Sequence, residues 1–297
     1  MQKRKMLFVY NPKAGKAQIR NHLLEIINIF TKDGYEVTAV PTQAAGDAVR
    51  IVRDREDIYE LVVCSGGDGT LDEVVTGMLE GEKQIPIGYV PAGSTNDFAN
   101  SLHLPKTMKK AAEVVVNGNL FPCDVGAFND DKFVYIAAFG VFTDVSYETK
   151  QEMKNMLGHT AYLLEGVKSI STIKPFHFKV MHDGETIEDD FIYGMVTNSD
   201  SVGGFKNITG KNVSLNDGLF EVTLIKMPKN PIELSMIAAA LLNSDIYTEY
   251  MYCFKSSEIS FESDQEVAWT LDGEFGGNHK EVHIKNCEKA MEIIVPV

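Results

Sequence analysis

The sequence predicts an α/β N-terminal domain, with a parallel sheet and helices on both faces, followed by a β-rich antiparallel C-terminal domain. Strand-like apolar runs alternate with helical patterns over residues 1–125, which is typical of βαβ units. Short strand-like runs separated by turn signals dominate residues 126–288. At 297 residues, the chain is long enough for two hydrophobic cores.

Four strand–helix pairs account for the N-terminal domain in chain order. The strand "KMLFVYNP" precedes apolar residues at helical spacing from Ile19 to Phe30, and the strand "GYEVTAVPT" precedes the helix "GDAVRIVRDRE". The strand "ELVVCS" leads into "TLDEVVTGMLEGE", and "IPIGYVPAG" comes before "TMKKAAEVVVNG". Thr70 and Glu73 match the capping box T-x-x-E, which predicts that the third helix begins there.

Six strand-like runs predict the C-terminal domain: "KFVYIAAFG", "FHFKVMHDG", "FIYGMVTNS", "GLFEVTLIK", "EVAWTLDGE" and "KAMEIIVPV". The turn signals "NDD", "HDG" and "NDG" separate neighbouring runs. Helical insertions are expected near residues 144–172 and 231–243.

Composition and charge exclude several classes of protein. Hydrophobic residues make up 44% and charged residues 24% of the chain, as in soluble globular proteins, and no apolar run approaches the ~18 residues of a membrane span. The net charge of −14 argues against a nucleic-acid partner and against a purely electrostatic hold on an anionic membrane. The four cysteines lack a CxxC pair, which favours free thiols in a reducing cytoplasm.

The stretch "CSGGDGTLDEVV", Cys64–Val75, places glycines between a strand and a helix. Bare backbone N–H groups at a helix N-terminus favour an anion such as phosphate, although a tight turn without a ligand would use the same residues. Two known phosphate loops are excluded. The P-loop pattern around Gly15 finds Tyr10 and Ala17 in required positions, and the dinucleotide fingerprint finds Asp72 in place of its third glycine.

Two further loops, "YNPKAGK" and "VPAGSTND", also end predicted parallel strands, so all three loops are expected on one edge of the sheet. Together they offer glycine backbone, the hydroxyls of Ser94 and Thr95, the amide of Asn96, and two carboxylates. Those carboxylates, Asp68 and Asp97, would repel a triphosphate unless Mg²⁺ lay between them. The alternative is that Asp68 caps a turn and Asp97 caps a short helix at "DFANSL".

With "NPKAGK" before and "PAGSTNDFA" after it, "SGGDGTLDEVVTG" resembles the bacterial soluble diacylglycerol kinases and related lipid kinases, which share a catalytic domain with eukaryotic diacylglycerol and sphingosine kinases. Segments such as "VTNSDSVGGFKNI", "LNDGLFEVTLI" and "LDGEFGG" extend the resemblance over essentially the whole chain. The resemblance implies transfer of the γ-phosphoryl group of ATP to a lipid hydroxyl, in a cleft between the two domains.

The resemblance also assigns roles to residues. It implies Glu274 of "LDGE" as the general base, Asp68 and Asp97 as the residues that manage the catalytic Mg²⁺, and a last strand, about 289–297, that returns to the first domain. Asp72 departs from the asparagine that is common in the family. The implied nucleotide site comprises Asn11, Pro12, Lys13, Ala14, Gly15, Thr42, Gly66, Gly67, Asp68, Gly69, Thr70, Leu71, Asp72 and Ser94. A second Mg²⁺ would be held by Ser214, Asp217 and Leu219, with Lys16 and Asp124 linking it to the active centre.

Several alternatives stay open at this point. The acceptor could be a soluble molecule such as NAD, since NAD kinases share the GGDG loop, or the chain could be a nucleotide-sensing lipid binder without turnover. The stretch Met153–Ile170 would line a lipid mouth, or be an amphipathic helix that covers the sheet. The partner expected from the family is a lipid at a membrane surface, reached peripherally and transiently by a cytoplasmic protein. The sequence leaves open the identity of the lipid and the formation of a homodimer.

Overall fold

The computed structural model describes residues 4–55, 58–140, 174–203, 205–206, 213–242 and 248–297. The chain divides into two compact units. The N-terminal unit comprises Met1–Val125 and Cys287–Val297, and the C-terminal unit comprises Gly126–Asn286.

The N-terminal unit alternates strands and helices. Its elements in chain order are β1 (Arg4–Tyr10), α1 (Ile19–Lys32), β2 (Tyr35–Pro41), α2 (Asp47–Arg53), β3 (Leu61–Gly66), α3 (Asp68–Glu80), β4 (Ile87–Pro91), α4 (Asp97–Ser101), α5 (Met108–Asn117) and the start of β5 (Asn119–Phe128).

The strands of this unit pair in the order β2-β1-β3-β4, and each of these pairs is parallel. The C-terminal segment of the chain adds a further parallel contact, in which Ile293 lies opposite Ile87 of β4. Alternate residues of β1 point to opposite faces. Met6 and Phe8 pack with α1 and α5 in one hydrophobic core, and Leu7 on the other face is equally buried. The pairing places the carboxyl ends of β1, β3 and β4 at one edge of the sheet.

The C-terminal unit is built from antiparallel strands. Its elements are β6 (Asp131–Phe133), β7 (Ile136–Gly140), β8 (Phe176–His182), β9 (Glu185–Thr197), β10 (Ser201–Val202), β11 (Phe205–Lys206), β12 (Phe220–Lys226), α6 (Pro231–Leu242), β13 (Met251–Ser256), β14 (Glu258–Leu271) and β15 (Glu274–Val295), with β15 ending in the N-terminal unit.

Strand pairing in this unit is antiparallel throughout the described residues, including β7 with β9 and with β14, β8 with β9 and with β14, and β14 with β15. Aromatic side chains fill its core. The ring of Trp269 lies 4.9 Å from that of Phe139 and 5.1 Å from that of Phe261, measured between centroids, and all three side chains are fully buried.

The structure divides one predicted strand in two and adds strands to the predicted set, among them β5. "KFVYIAAFG" forms two strands, β6 and β7, because the backbone N–H groups of Val134, Tyr135 and Ile136 donate to the carboxylate of Asp272. β5 was not expected, since its run "NLFPCDVGAF" contains a proline, which cannot donate to a sheet. The helix predicted near 144–172 lies outside the described residues, and the one predicted near 231–243 is α6.

Candidate active site

Three loops meet at the carboxyl edge of the parallel strands. They follow β1, β3 and β4, and the end of β2 joins them. Because neighbouring strands run the same way, the first residue after each strand can bond to the strand beside it. The linking backbone hydrogen bonds are Asn11 N to Ser65 O (2.8 Å), Ala92 N to Gly66 O (2.7 Å) and Thr42 N to Tyr10 O (2.9 Å).

Glycines let these loops approach each other closely. A Cβ at Gly15, whose φ is +55°, would overlap the carbonyl oxygen of Ala92, and a Cβ at Gly93 would lie 2.7 Å from the Cα of Gly67. The first and third loops therefore touch, and so do the second and third.

Within "GGDGT" the first two glycines differ. A Cβ at Gly66 would overlap the side chain of Thr70, so packing alone requires glycine there. A Cβ at Gly67 would meet only the Cα of Gly93, at an ordinary 3.5 Å, and the backbone of Gly67 is extended (φ −84°, ψ −175°). Neither packing nor backbone conformation therefore requires glycine at 67.

The structure brings the two predicted magnesium residues together. The backbone N–H of Asp97 donates to the carboxylate of Asp68 at 3.3 Å, and Asp97 is buried. Gly67 and Asn96 occupy the N-cap positions of α3 and α4, so Asp97 is not an N-cap residue, whereas the Asp68 carboxylate accepts from the first N–H group of α4. The carboxylate of Asp68 thus lies at the start of α3, beside the backbone of the third loop.

Other predicted residues complete the loops. The side-chain amide of Asn11 donates to the Thr70 hydroxyl at 3.4 Å, and its oxygen accepts from Lys13 N at 2.9 Å. Asn96 is engaged inside its own loop, since its amide bonds both Gly93 N (2.8 Å) and Gly93 O (3.0 Å). The remaining nucleotide-site residues divide by exposure: Thr42 and Leu71 are buried, Pro12, Ala14, Gly69 and Asp72 are half-buried, and Ser94 is exposed.

The predicted capping box is wrong. Thr70 lies inside the first turn of α3, which begins at Asp68. The carboxylate of Glu73 turns to the neighbouring helix α2 and accepts hydrogen bonds from Gly46 N (2.9 Å) and Ala48 N (3.0 Å). Glu73 therefore satisfies N–H groups at the start of α2.

The two predicted supporting residues also lie in the N-terminal unit. Lys16 is exposed and follows Gly15 in the first loop. Asp124 is fully buried on β5, and its carboxylate accepts a hydrogen bond from the backbone N–H of Lys289 at 2.7 Å. Asp124 thus fixes the C-terminal segment of the chain beside β5.

The predicted base, Glu274, is the first residue of β15 in the C-terminal unit. It pairs with Leu271 across a two-residue turn, Asp272-Gly273, in which both residues have positive φ (51° and 88°). Such turns match the twist of a hairpin. Glu274 is exposed at the tip, and so is Phe275 beside it.

Of the residues predicted for a second cation, Asp217 takes part in an ion pair, and the Ser214 hydroxyl donates to the side-chain oxygen of Asn216 at 3.2 Å. The ammonium of Lys255 lies 3.4 Å from Asp217 Oδ2 and 2.8 Å from Glu221 Oε1, and Leu219 N donates to Asp217 Oδ1 at 3.2 Å. Burial raises the pKa of Glu221 to about 7, although Lys255 opposes the shift.

A fully protein-built metal cage is absent from the described residues, since no three His, Cys, Asp or Glu side chains gather there. The Asp68–Asp97 pair still suits Mg²⁺, which takes one or two carboxylates and completes its shell with phosphate oxygens and water. The Asp217 group offers one carboxylate that already faces an ammonium, so a second magnesium at that position stays a prediction.

Comparison with known proteins adds the family. Residues 5–128 match the diacylglycerol kinase catalytic domain, and residues 136–295 match the YegS C-terminal NAD kinase β-sandwich-like domain. A protein of Bacillus subtilis (strain 168) named diacylglycerol kinase is 32% identical over 273 residues, covering 91% of this chain and 89% of the relative. The chain belongs to the diacylglycerol kinase family. It is therefore a phosphotransferase of the kinase class.

Other relatives of this kinase agree. The diacylglycerol kinase of Staphylococcus carnosus (strain TM300) is 31% identical over 290 residues, covering 97% of this chain and 94% of the relative. A crystal structure of a Bacillus anthracis (strain Sterne) protein shares the fold with a TM-score of 0.83 at 24% identity, covering 99% of this chain and 98% of that one. Within the part of the kinase that the structure describes, each helix is too short or too polar to cross a bilayer.

Sequence reasoning missed two residues of the kinase that the structure singles out. Tyr89, on β4, is fully buried and donates from its hydroxyl to the carbonyl of Gly66 at 3.3 Å. Nothing in "IPIGYVPAG" distinguishes it from a core tyrosine. Asp272 lies inside the quoted "LDGE" motif, in which the resemblance assigns a role only to Glu274, but its burial to 4% exposure sets it apart from turn aspartates at the surface.

Proposed function

We propose that the chain is an ATP-dependent lipid kinase that transfers the γ-phosphoryl group of ATP to the hydroxyl of diacylglycerol, with phosphatidic acid as the product. The proposal rests above all on Gly67, which lies where the three loops meet. A Cβ would fit at this position, so the glycine is explained by a phosphate that approaches the backbone. Relatives named diacylglycerol kinase, more than 30% identical over nearly the whole chain, support the choice of acceptor.

The donor would lie on the three loops. Backbone N–H groups at the start of α3, which comprises 13 residues, favour phosphate through their hydrogen bonds and the helix dipole. Asp68 and Asp97 would hold the Mg²⁺ ion that accompanies the triphosphate. Magnesium, when bound, would neutralise charge on the phosphate oxygens. Because phosphoryl transfer depends mainly on positioning and on charge neutralisation, these groups would supply most of the donor-side catalysis.

The acceptor would meet Glu274. In the transfer, the lipid hydroxyl oxygen bonds to the γ-phosphorus, the bond to the β-phosphate oxygen breaks, ADP leaves, and the hydroxyl proton passes to the Glu274 carboxylate. Phe275, 71% exposed, gives this tip an apolar surface for a lipid. The stretch Met153–Ile170, predicted to line a lipid mouth or to cover the sheet, lies outside the described residues.

The proposed partner is a lipid at a membrane surface, which a cytoplasmic protein would reach peripherally. With a net charge of −14, long-range attraction to an anionic bilayer is not available, so apolar contact with the lipid would have to hold the enzyme there. A homodimer is a further proposal, and light scattering at several protein concentrations would test it.

A transfer assay tests the proposed function. The wild-type protein is incubated with γ-labelled ATP, Mg²⁺ and diacylglycerol in mixed micelles, and the products are separated by chromatography. Parallel reactions contain a sphingoid base, an isoprenoid alcohol, phosphatidylglycerol or NAD. We expect the label in phosphatidic acid. Label in another lipid would replace diacylglycerol as the acceptor.

The NAD reaction has a specific reason, because the C-terminal domain matches an NAD kinase β-sandwich-like family. Formation of NADP without labelled lipid would make the chain a kinase of a soluble acceptor. Nucleotide binding with no labelled product would make it a non-catalytic nucleotide-sensing lipid binder.

The chain offers a matched control for Glu274. The hairpin between β8 and β9 has the same Asp-Gly-Glu order, with His182 opposite Glu185. Glu274→Gln is expected to lower kcat by about 100-fold or more, the range of general-base catalysis, while Glu185→Gln leaves kcat unchanged. Equal activity of the two variants would remove Glu274 from the mechanism.

A further inference from the structure

A buried carboxylate lies two residues before the proposed base. Asp272 occupies a turn position with φ of 51°, where a side chain usually faces water, yet the residue is only 4% exposed. The second hairpin of the same kind provides a comparison. Asp183 has nearly the same φ, 48°, but its side chain is 57% exposed. Turn chemistry therefore does not explain the burial of Asp272.

The Asp272 carboxylate is bound by three consecutive backbone N–H groups. Val134 N donates to Oδ2 at 2.6 Å, and Tyr135 N and Ile136 N both donate to Oδ1 at 2.9 Å. The backbone N–H of Asp272 in turn donates to the carbonyl of Ile136 at 2.9 Å. Successive N–H groups of this kind form a concave anion site, and here the anion is a side chain of the same protein.

These four hydrogen bonds, which we call the clasp, fix the hairpin tip to residues 134–136, at the junction of β6 and β7. The next pair along, Leu271 with Ala137, belongs to the β14–β7 ladder, so the clasp extends that ladder to the end of the hairpin. Glu274 faces Leu271 across the turn, and its backbone position is therefore set by residues on both sides of the tip.

We propose that Asp272 is a positioning residue for Glu274: it clamps the β14–β15 turn to residues 134–136, so that the Glu274 carboxylate keeps one place relative to the acceptor hydroxyl. This inference rests on the proposed function, in which Glu274 takes the proton. A base on an unanchored hairpin tip would sample many positions, and misplacement by about 1 Å costs on the order of 100-fold in rate.

Asp272→Asn is the sharpest perturbation, because it keeps the size of the side chain. Asparagine has one acceptor oxygen and an NH₂ donor. If its oxygen serves Tyr135 and Ile136, its NH₂ group faces the N–H of Val134, and that contact becomes donor against donor. Asp183→Asn is the matched control in the second hairpin.

Two measurements test the positioning role. In the kinetic measurement, Asp272→Asn should lower kcat for lipid phosphorylation by about 10- to 100-fold with the KM for ATP unchanged, while Asp183→Asn changes neither. In a Glu274→Gln background the same substitution should lower kcat less than about twofold, because the two residues act through one step. A fall of equal size in both backgrounds would overturn the proposal, since it would reveal a general structural effect.

Hydrogen–deuterium exchange is the second measurement, and it does not depend on activity. Asp272→Asn should speed exchange in peptides covering 134–136 and 271–276, with the turn at 182–185 unchanged. Equal exchange in the variant and the wild type would show that Asp272 does not hold the turn. If Asp272→Asn does not fold, both measurements use Asp272→Glu, which keeps the charge and shifts the tip by one methylene. A wild-type protein that phosphorylates no acceptor refutes the proposed function, whereas the exchange result still decides whether the clasp exists.

Discussion

The two neighbouring glycines of the second loop give opposite predictions for the same substitution. At Gly66, alanine would place a Cβ inside the Thr70 side chain, and overpacking of this kind costs about 1–3 kcal/mol in the free energy of unfolding. At Gly67, the nearest atom to a Cβ would be 3.5 Å away, and the extended backbone suits alanine. Gly67→Ala should leave stability unchanged or raise it by about 0.4–1 kcal/mol, because the unfolded chain loses freedom.

Although Gly67→Ala does not lower stability, it should weaken the binding of ATP. A Cβ at residue 67 would keep a phosphate away from the backbone, and a lost hydrogen bond to a charged group costs about 1.5–3 kcal/mol. Gly67→Ala should therefore raise the KM for ATP by about 10- to 100-fold. Urea unfolding gives the stabilities, and initial rates of lipid phosphorylation give KM. A Gly67→Ala protein that is stable and has the wild-type KM would refute phosphate binding at this backbone.

Two further predictions concern stability. Glu73→Gln should lower the free energy of unfolding by about 1 kcal/mol, because α2 loses the charged acceptor at Gly46 N and Ala48 N; urea unfolding that matches the wild type would contradict this contact. Since the folded-state pKa of Glu221 is raised from 4.5 to about 7 by burial, the stability it contributes is full below pH 4.5 and is lost as the pH rises to about 7. Removing the opposing ammonium with Lys255→Met should make that loss larger in unfolding curves at pH 5 and pH 8, and an unchanged difference would argue against the pair.

The loops were predictable from sequence because local rules determine them. A glycine-rich turn between a strand and a helix is visible in "SGGDGT" itself, and parallel pairing of β1, β3 and β4 then brings their ends to one edge. Gly15 marks the limit of this reasoning, since its place after β1 follows from the apolar pattern, whereas its close approach to Ala92 depends on the tertiary structure.

Other features depend on contacts between distant residues. Glu73 had a local partner in the capping-box pattern, but packing of α2 beside α3 offered it N–H groups 25 and 27 residues away in the chain. The break between β6 and β7 depends on Asp272, which is 138 residues beyond Val134. The sequence around Glu73 or Asp272 does not indicate these hydrogen-bond partners, because each partner comes within reach only when the tertiary structure forms.

A calorimetric titration of the wild-type protein with a non-hydrolysable ATP analogue decides whether the three loops hold nucleotide phosphate through a metal ion. The titration is run with Mg²⁺ and again with EDTA in its place. We predict saturable binding with Mg²⁺ that weakens by at least about tenfold in EDTA, because Asp68 and Asp97 then face the triphosphate without a cation between them. Absence of binding in the presence of Mg²⁺, or equal affinity in both conditions, would contradict the site described for these loops.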